Sequence, residues 1–280
     1  QPVISKVIWY DPTERDFQQY SYDISCHLAV LAELTMPEVQ MESVMITEKG
    51  WGQYDLQVQQ REWSSGEYLW EDGTVTRGKI QLKSNVYQYS VINAFSRGTA
   101  EFGNSVMTES AKAKAALADL PEYLKMEAYV SLGKDWTMEE LENFAAQQEG
   151  YLGWVGVRTS PEDQQFLPLM GFDADSSGYI WDHVDELSMH EDVPLAEAWE
   201  KHFLALLQYS IDHRDFYARL NQSNDHGSTC QMVQEYVTEN GVKTYGFLYY
   251  GTPAEMRKLL ENEDVEGIYV TDYQLRVPGL

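Results

Sequence analysis

The sequence predicts a protein of the α+β and α/β classes. A β-rich N-terminal region, an antiparallel meander, precedes an α/β domain of two βαβ units with a helical insertion between them. Three observations predict it. The first is a stretch written twice. An apolar run at 128–132 leads through Gly133 to Thr137-Met-Glu-Glu-Leu141, then a helix-like segment to Gln148 and a second apolar run at 152–157. A shift of 115 residues lays Thr137 on Thr252, Glu140 on Glu255, Leu141 on Met256, Phe144 on Leu259 and Trp154 on Tyr269, without a gap. The second is period-two alternation with repeated turn signals across 51–82. The third is a long run from 194 to 220 with Leu195, Trp199, Phe203, Leu206 and Leu207 at helical spacing.

Taken in order, residues 3–9 alternate and are expected as a strand, broken at Asp11-Pro12. Residues 20–30 keep period two (Tyr20, Tyr22, Ile24, Cys26, Leu28, Val30), yet 27–34 suits a helix as well, and Pro37 ends either. Residues 39–47 read as a strand. Beyond Gly50, Tyr54, Leu56 and Val58 share one face and Gln53, Asp55, Gln57 and Gln59 the other, the pattern of a half-buried antiparallel strand. Ser65-Gly66, Asp72-Gly73 and Arg77-Gly78 are expected as turns of the meander. Another strand is expected at 87–95, a linker at 96–108 and a helix at 109–120. The domains therefore divide as 1–108, β-rich, and 109–280, α/β.

In each repeated unit Thr-x-x-Glu opens a helix as a capping box. The hydroxyl accepts from the N3 amide, and the carboxylate accepts from the cap amide. Trp136 and Leu141 bracket the first cap as a hydrophobic staple. Pro253 falls at the first helical position of the second, where a missing N–H costs nothing. A short helix between two apolar strands implies strands that run parallel with a right-handed crossover. The runs at 129–132, 152–157, 245–249 and 268–270 are expected in one sheet. Between the units, 160–191 reads as an Asp-rich loop, 194–220 as an amphipathic helix and 228–239 as a helix stopped at Asn240-Gly241.

The 280 residues carry 20 basic and 45 acidic side chains, a net charge of −25 that disfavours direct nucleic acid binding. No apolar run approaches the length of a bilayer span, about 20 residues. Cys26 and Cys230 are too few for a disulfide framework; two buried thiols or one bridge are both open.

Asp173-Ala-Asp175-Ser-Ser177-Gly178 matches the first half of a calcium loop, but position twelve, which needs a bidentate carboxylate, is Val184. His183 and His190 lie among Asp182, Asp185, Glu186, Glu191 and Asp192 without a zinc-site spacing. Ser210, Asp212 and His213 sit within one helical turn, with no Gly-x-Ser-x-Gly elbow to expose a nucleophile. His202 and His213 are expected at a helix surface or core edge. Phosphate-binding glycine loops are missing. No catalytic, cofactor-binding or metal residue is assigned, no cofactor is expected, and an enzyme is not expected.

Glu127-Ala-Tyr-Val-Ser-Leu132, the cap at 137–141, Gly153-Trp-Val-Gly-Val-Arg158 and Leu169-Met-Gly-Phe172 together resemble the C-terminal domain of sigma-factor regulators from Gram-positive bacteria. Tyr245-Gly-Phe-Leu-Tyr-Tyr-Gly-Thr-Pro253 through Ile268-Tyr-Val270 resembles the end of that domain. Upstream, Glu33-Leu-x-x-Pro37 and Gly50-Trp-Gly-x-Tyr-Asp-Leu56 resemble the extracytoplasmic stretch that precedes it.

The resemblance implies the outer, non-catalytic part of a membrane-anchored anti-sigma factor. Its partners would be an extracytoplasmic signal or membrane protein and, through a cytoplasmic segment outside these residues, an extracytoplasmic-function (ECF) sigma factor. An N-terminal transmembrane helix outside these residues would hold it on the outer face of the cell membrane. A cell-surface module binding glycan or peptide through exposed Tyr and Trp is the alternative.

Overall fold

The computed structural model describes residues 10–15, 22–62, 66–83, 95, 108–161, 169–175, 193–220 and 225–275. The expected strand at 3–9, all but Phe95 of the one at 87–95, and nearly all of the linker lie outside them.

The ambiguous segment at 20–34 is a helix, α1 (Asp23–Thr35), buried along its whole length. A helix apolar on most sides belongs inside a protein. Its period two is incidental, and its polar residues must then find partners within the core. The Thr35 hydroxyl donates to the Leu31 carbonyl at 2.6 Å, and His27 Nδ1 lies 2.8 Å from the Tyr209 hydroxyl.

β1 (Val39–Gly50), β2 (Gln53–Glu62), β3 (Tyr68–Thr76) and β4 (Lys79–Leu82) follow as an antiparallel meander in chain order. Leu56 and Val58 face the core while Gln53, Asp55 and Gln57 face solvent, as the alternation requires. Arg77 (φ 50°) and Gly78 (φ 80°) make the β3–β4 turn, the two positive φ values of a type I′ hairpin. Asp72-Gly73, expected as a turn, lies inside β3. A Cβ on Gly73 would come within 2.7 Å of Leu82 and 2.9 Å of the Gln81 carbonyl, so close strand approach fixes this glycine.

The second sheet comprises β5 (Thr108–Glu109), β6 (Leu124–Thr137), β7 (Tyr151–Val157), β8 (Gly171–Asp173), β9 (Lys243–Gly251) and β10 (Val265–Leu275). Its helices are α2 (Ser110–Ala118), α3 (Met138–Ala145), α4 (Leu195–Asp212), α5 (Arg214–Tyr217), α6 (His226–Asn240) and α7 (Pro253–Leu259). All four expected runs lie in this one sheet, in the order β5-β10-β6-β9-β7-β8.

The two units interleave. β6 and β7 both pair antiparallel with β9, so they run the same way with β9 between them. β9 and β10 likewise flank β6. The result is a pair of split βαβ units, the ferredoxin-like plan. Strands within a unit are parallel in direction, but every hydrogen-bonded pairing is antiparallel.

Both capping boxes form. Glu140 N–H donates to Thr137 Oγ1 at 3.2 Å and Glu255 N–H to Thr252 Oγ1 at 3.3 Å, each glutamate returning its carboxylate to the cap amide. α3 packs through Phe144 onto Phe247, ring centroids 5.7 Å apart, so α3 and α7 cover the Val130/Phe247 face of the sheet.

The insertion differs from expectation in two places. Residues 171–173 pair as edge strand β8 within the segment read as loop. Leu195, counted on the apolar stripe, is exposed at the first turn of α4, while Trp199, Phe203, Leu206 and Leu207 are buried. One buried cluster joins α1, the meander and the second sheet, and the Ile80 N–H donates to the Arg219 carbonyl at 2.9 Å across the join.

Candidate functional site

The feature sequence reasoning missed is a buried row of carboxyls where the exit of α1 meets the second sheet. Pro37 stops the helix, so Glu33 in its last turn and Glu38 just before β1 both reach the sheet within six residues.

Glu33 is sealed from solvent. Its Oε1 lies 2.6 Å from His202 Nε2 on α4 and accepts the Asp173 N–H of β8 at 3.2 Å. Its backbone carbonyl accepts Trp154 Nε1 of β7 at 2.7 Å. Trp199 Nε1 donates to the Ala174 carbonyl at 3.0 Å, fixing the chain just beyond Asp173. Glu33 Oε2 is buried with no hydrogen-bond partner. Burial, then the negative Glu33, then Asp175 hold the Asp173 carboxyl well above the usual range.

A second cluster occupies the sheet face opposite α3 and α7. Cross-strand pairing sets Asp272 (β10), Glu127 (β6), Tyr250 (β9) and Tyr151 (β7) in one row. The Tyr151 and Tyr250 rings stack at 4.9 Å, and a Cβ on Gly153 would strike Tyr250 at 2.5 Å. The Thr271 hydroxyl donates to Glu127 Oε1, and the Tyr250 hydroxyl sits beside Glu127 without an aligned hydrogen bond. Two residues along β6, the Tyr129 hydroxyl donates to Glu38 Oε1 at 2.8 Å. Burial pushes Glu127 up to about 7; the Thr271 bond opposes the rise and the charge of Glu38 adds to it. Glu38 is raised as well, by burial above all.

These groups can take up and release protons. Among the described residues no group of three or more His, Cys, Asp or Glu is placed to hold a metal ion.

The described members of the sequence motifs do not converge on one site. Asp173 is a buried strand residue and Asp175 an exposed one just beyond it; Ser177, Gly178, Asp182, His183, Val184, Asp185, Glu186, His190, Glu191 and Asp192 lie outside the described residues. Ser210 is buried, Asp212 exposed and His213 half-buried, with His213 Nδ1 2.8 Å from the Tyr209 carbonyl. His202, expected at a surface or core edge, is fully buried because Glu33 offers it a partner across the core. Cys26 and Cys230 are free, and burial raises their thiols to about 11 and about 12. A signal for Glu127 was present in the sequence: a lone carboxylate inside the apolar run Met126-Glu-Ala-Tyr-Val130.

No curated protein and no solved structure matched the chain significantly. The profile of a regulatory family, sigma factor regulator C-terminal, matches residues 117–272, which takes in β6 through most of β10 with Glu127, Asp173 and His202. Glu33 and Glu38 lie before the match, so the buried row ties an outside segment to the matched domain. With more than half of its 280 residues in that match, the chain belongs to the sigma factor regulator C-terminal family.

Proposed function

We propose that the chain is the extracytoplasmic, non-catalytic sensory part of a membrane-anchored anti-sigma factor in a Gram-positive bacterium. Residues 1–108 would form the upstream sensory region and residues 109–280 the family domain. A signal or membrane partner outside would change this part, and a cytoplasmic segment would release or hold an ECF sigma factor. The observation that carries the reading is the family match itself, which implies action on a sigma factor. The clamping of 33–38 onto the matched domain supports it, since a signal must bias one arrangement of two linked parts.

Two measurements test it. Deleting the gene should raise transcription from promoters of the cognate sigma factor, and restoring the full-length protein should lower it again. External protease applied to protoplasts should remove this chain while cytoplasmic markers survive. A reporter indifferent to deletion, or a chain protected from external protease, would sink the proposal.

One observation favours the alternative of a glycan- or peptide-binding module. Tyr68 and Trp70 stand exposed on the outer face of the meander, opposite Arg61 and Gln59 of β2. Retention of the chain on cell-wall glycan, lost in Trp70→Ala, would support that reading; no retention would remove it.

A further inference from the structure

We infer that the carboxyl row is a proton-operated clasp: residues 33–38 stay docked on the second sheet while Asp173 and Glu127 are neutral, and loosen as these two carboxyls ionise. The inference deepens the proposed sensory role, on which only its bearing on signalling rests. The clasp itself is a property of the chain.

The geometry places the burden on protons. Glu33 holds α1 to β7, β8 and α4 through Trp154, the Asp173 amide and His202, yet leaves Oε2 buried without a partner. The Asp173 carboxyl feels the charge of Glu33 on one side and that of the exposed Asp175 beyond it. A second negative charge beside Glu33 in this dry pocket is costly, whereas a neutral Asp173 relieves it. At the other end Glu38 docks through Tyr129, and its negative field meets Glu127 and Glu62. Glu127 also faces Asp272 across β10, with Thr271, Tyr250 and Tyr151 completing its surroundings. The Arg61 guanidinium also reaches this row, acting on Tyr151.

The direction follows from linkage. A carboxyl whose pKa is raised in the docked state binds its proton more tightly there than when released into water. Docking is therefore strongest below the ordinary carboxylate range, where both states are protonated. It weakens as pH climbs through that range to the docked value, about 7 for Glu127. Acidification closes the clasp, and neutral to alkaline conditions loosen it. The two ends need not act separately, because the fields of both Glu127 and Asp173 fall on Tyr250 and Tyr151.

Hydrogen exchange on the purified chain, corrected for intrinsic rates, tests this between about pH 5.5 and pH 8. Protection of residues 23–38 should fall with rising pH, by up to about tenfold per pH unit for each of the two carboxyls until its docked value is passed. Protection of α7, on the opposite face of the sheet from the row, should not follow it. Glu127→Gln with Asp173→Asn should flatten the profile, because neither side chain can ionise; Glu127→Gln alone should halve its slope. A flat wild-type profile overturns the clasp, whether or not the variants fold. A double variant that keeps the wild-type slope overturns it too. Either result leaves the anti-sigma reading standing, which the promoter reporter decides separately.

Discussion

His202 Nε2 lies 2.6 Å from Glu33 Oε1, and both side chains are shut away from water. One residue comes from the insertion between the two repeated units, the other from a helix that precedes the family domain. Their contact seats the N-terminal helix against the edge of the second sheet.

Removing one member of that pair leaves the other buried without its partner. Glu33→Ala is expected to lower stability by about 3 kcal/mol, the usual scale for breaking a buried pair from one side. Urea denaturation gives the value directly. A loss below about 1 kcal/mol, the scale of an exposed pair, would mean that water reaches the site.

The matched caps make a paired prediction. Thr137→Ala and Thr252→Ala should each cost about 1 kcal/mol, the typical loss for a helix N-cap. The costs should add in the double variant, as they do for distant, independent sites. An unchanged denaturation midpoint for either single variant contradicts the capping role of that threonine.

Gly246 sits where two strands and a ring converge. A Cβ there would come within 2.4 Å of the Val130 carbonyl and 2.5 Å of Phe95, whose ring meets Tyr129 and Tyr245 edge-on. Gly246→Ala should therefore destabilise the protein by about 2 kcal/mol through overpacking. A melting temperature equal to wild type would show that Phe95 can move aside at no cost.

Histidine burial acts in the opposite direction to the carboxyl row. Burial holds His226 down at about 4 and His27 at about 3. Below the ordinary histidine value of about 6.5 the unfolded chain takes up protons that the folded chain refuses, so this stability is lost as pH falls toward 4. His226→Gln carries no such penalty. Its stability deficit relative to wild type should shrink by up to about 1.4 kcal/mol for each pH unit below 6. A deficit constant from pH 7 to pH 4.5 would show that His226 protonates freely in the folded state.

Cys26 and Cys230 stand on separate helices, both buried, with thiol pKa values far above neutrality. A thiol reagent at neutral pH should leave the native protein unmodified, because the thiolate is the reactive form. It should titrate two groups after denaturation without reductant. Rapid modification of the native chain would place a cysteine at an open surface.

The sequence by itself determined the local pieces. Thr-x-x-Glu, Pro253 and the apolar spacing that follows set where the two helices begin, because caps and amphipathic faces are satisfied within a few residues. Alternation at 53–60 and the positive-φ pair Arg77-Gly78 likewise set the meander. The match at a shift of 115 marked two units of the same strand–helix–strand plan.

Only the tertiary structure decided how those pieces combine. Nothing local places β9 between β6 and β7, since the same apolar strands could pair with either neighbour. The period-two run at 22–30 became helix because distant residues enclose α1 on every side, packing its apolar side chains and supplying partners to its polar ones. Asp72-Gly73 reads as a turn until Leu82 is known to press on it. Glu33, Asp173 and His202 read as ordinary polar residues, separated along the chain by as many as 169 positions. Their shared burial, and with it the raised proton affinity of Asp173, arises only when the fold removes the water between them.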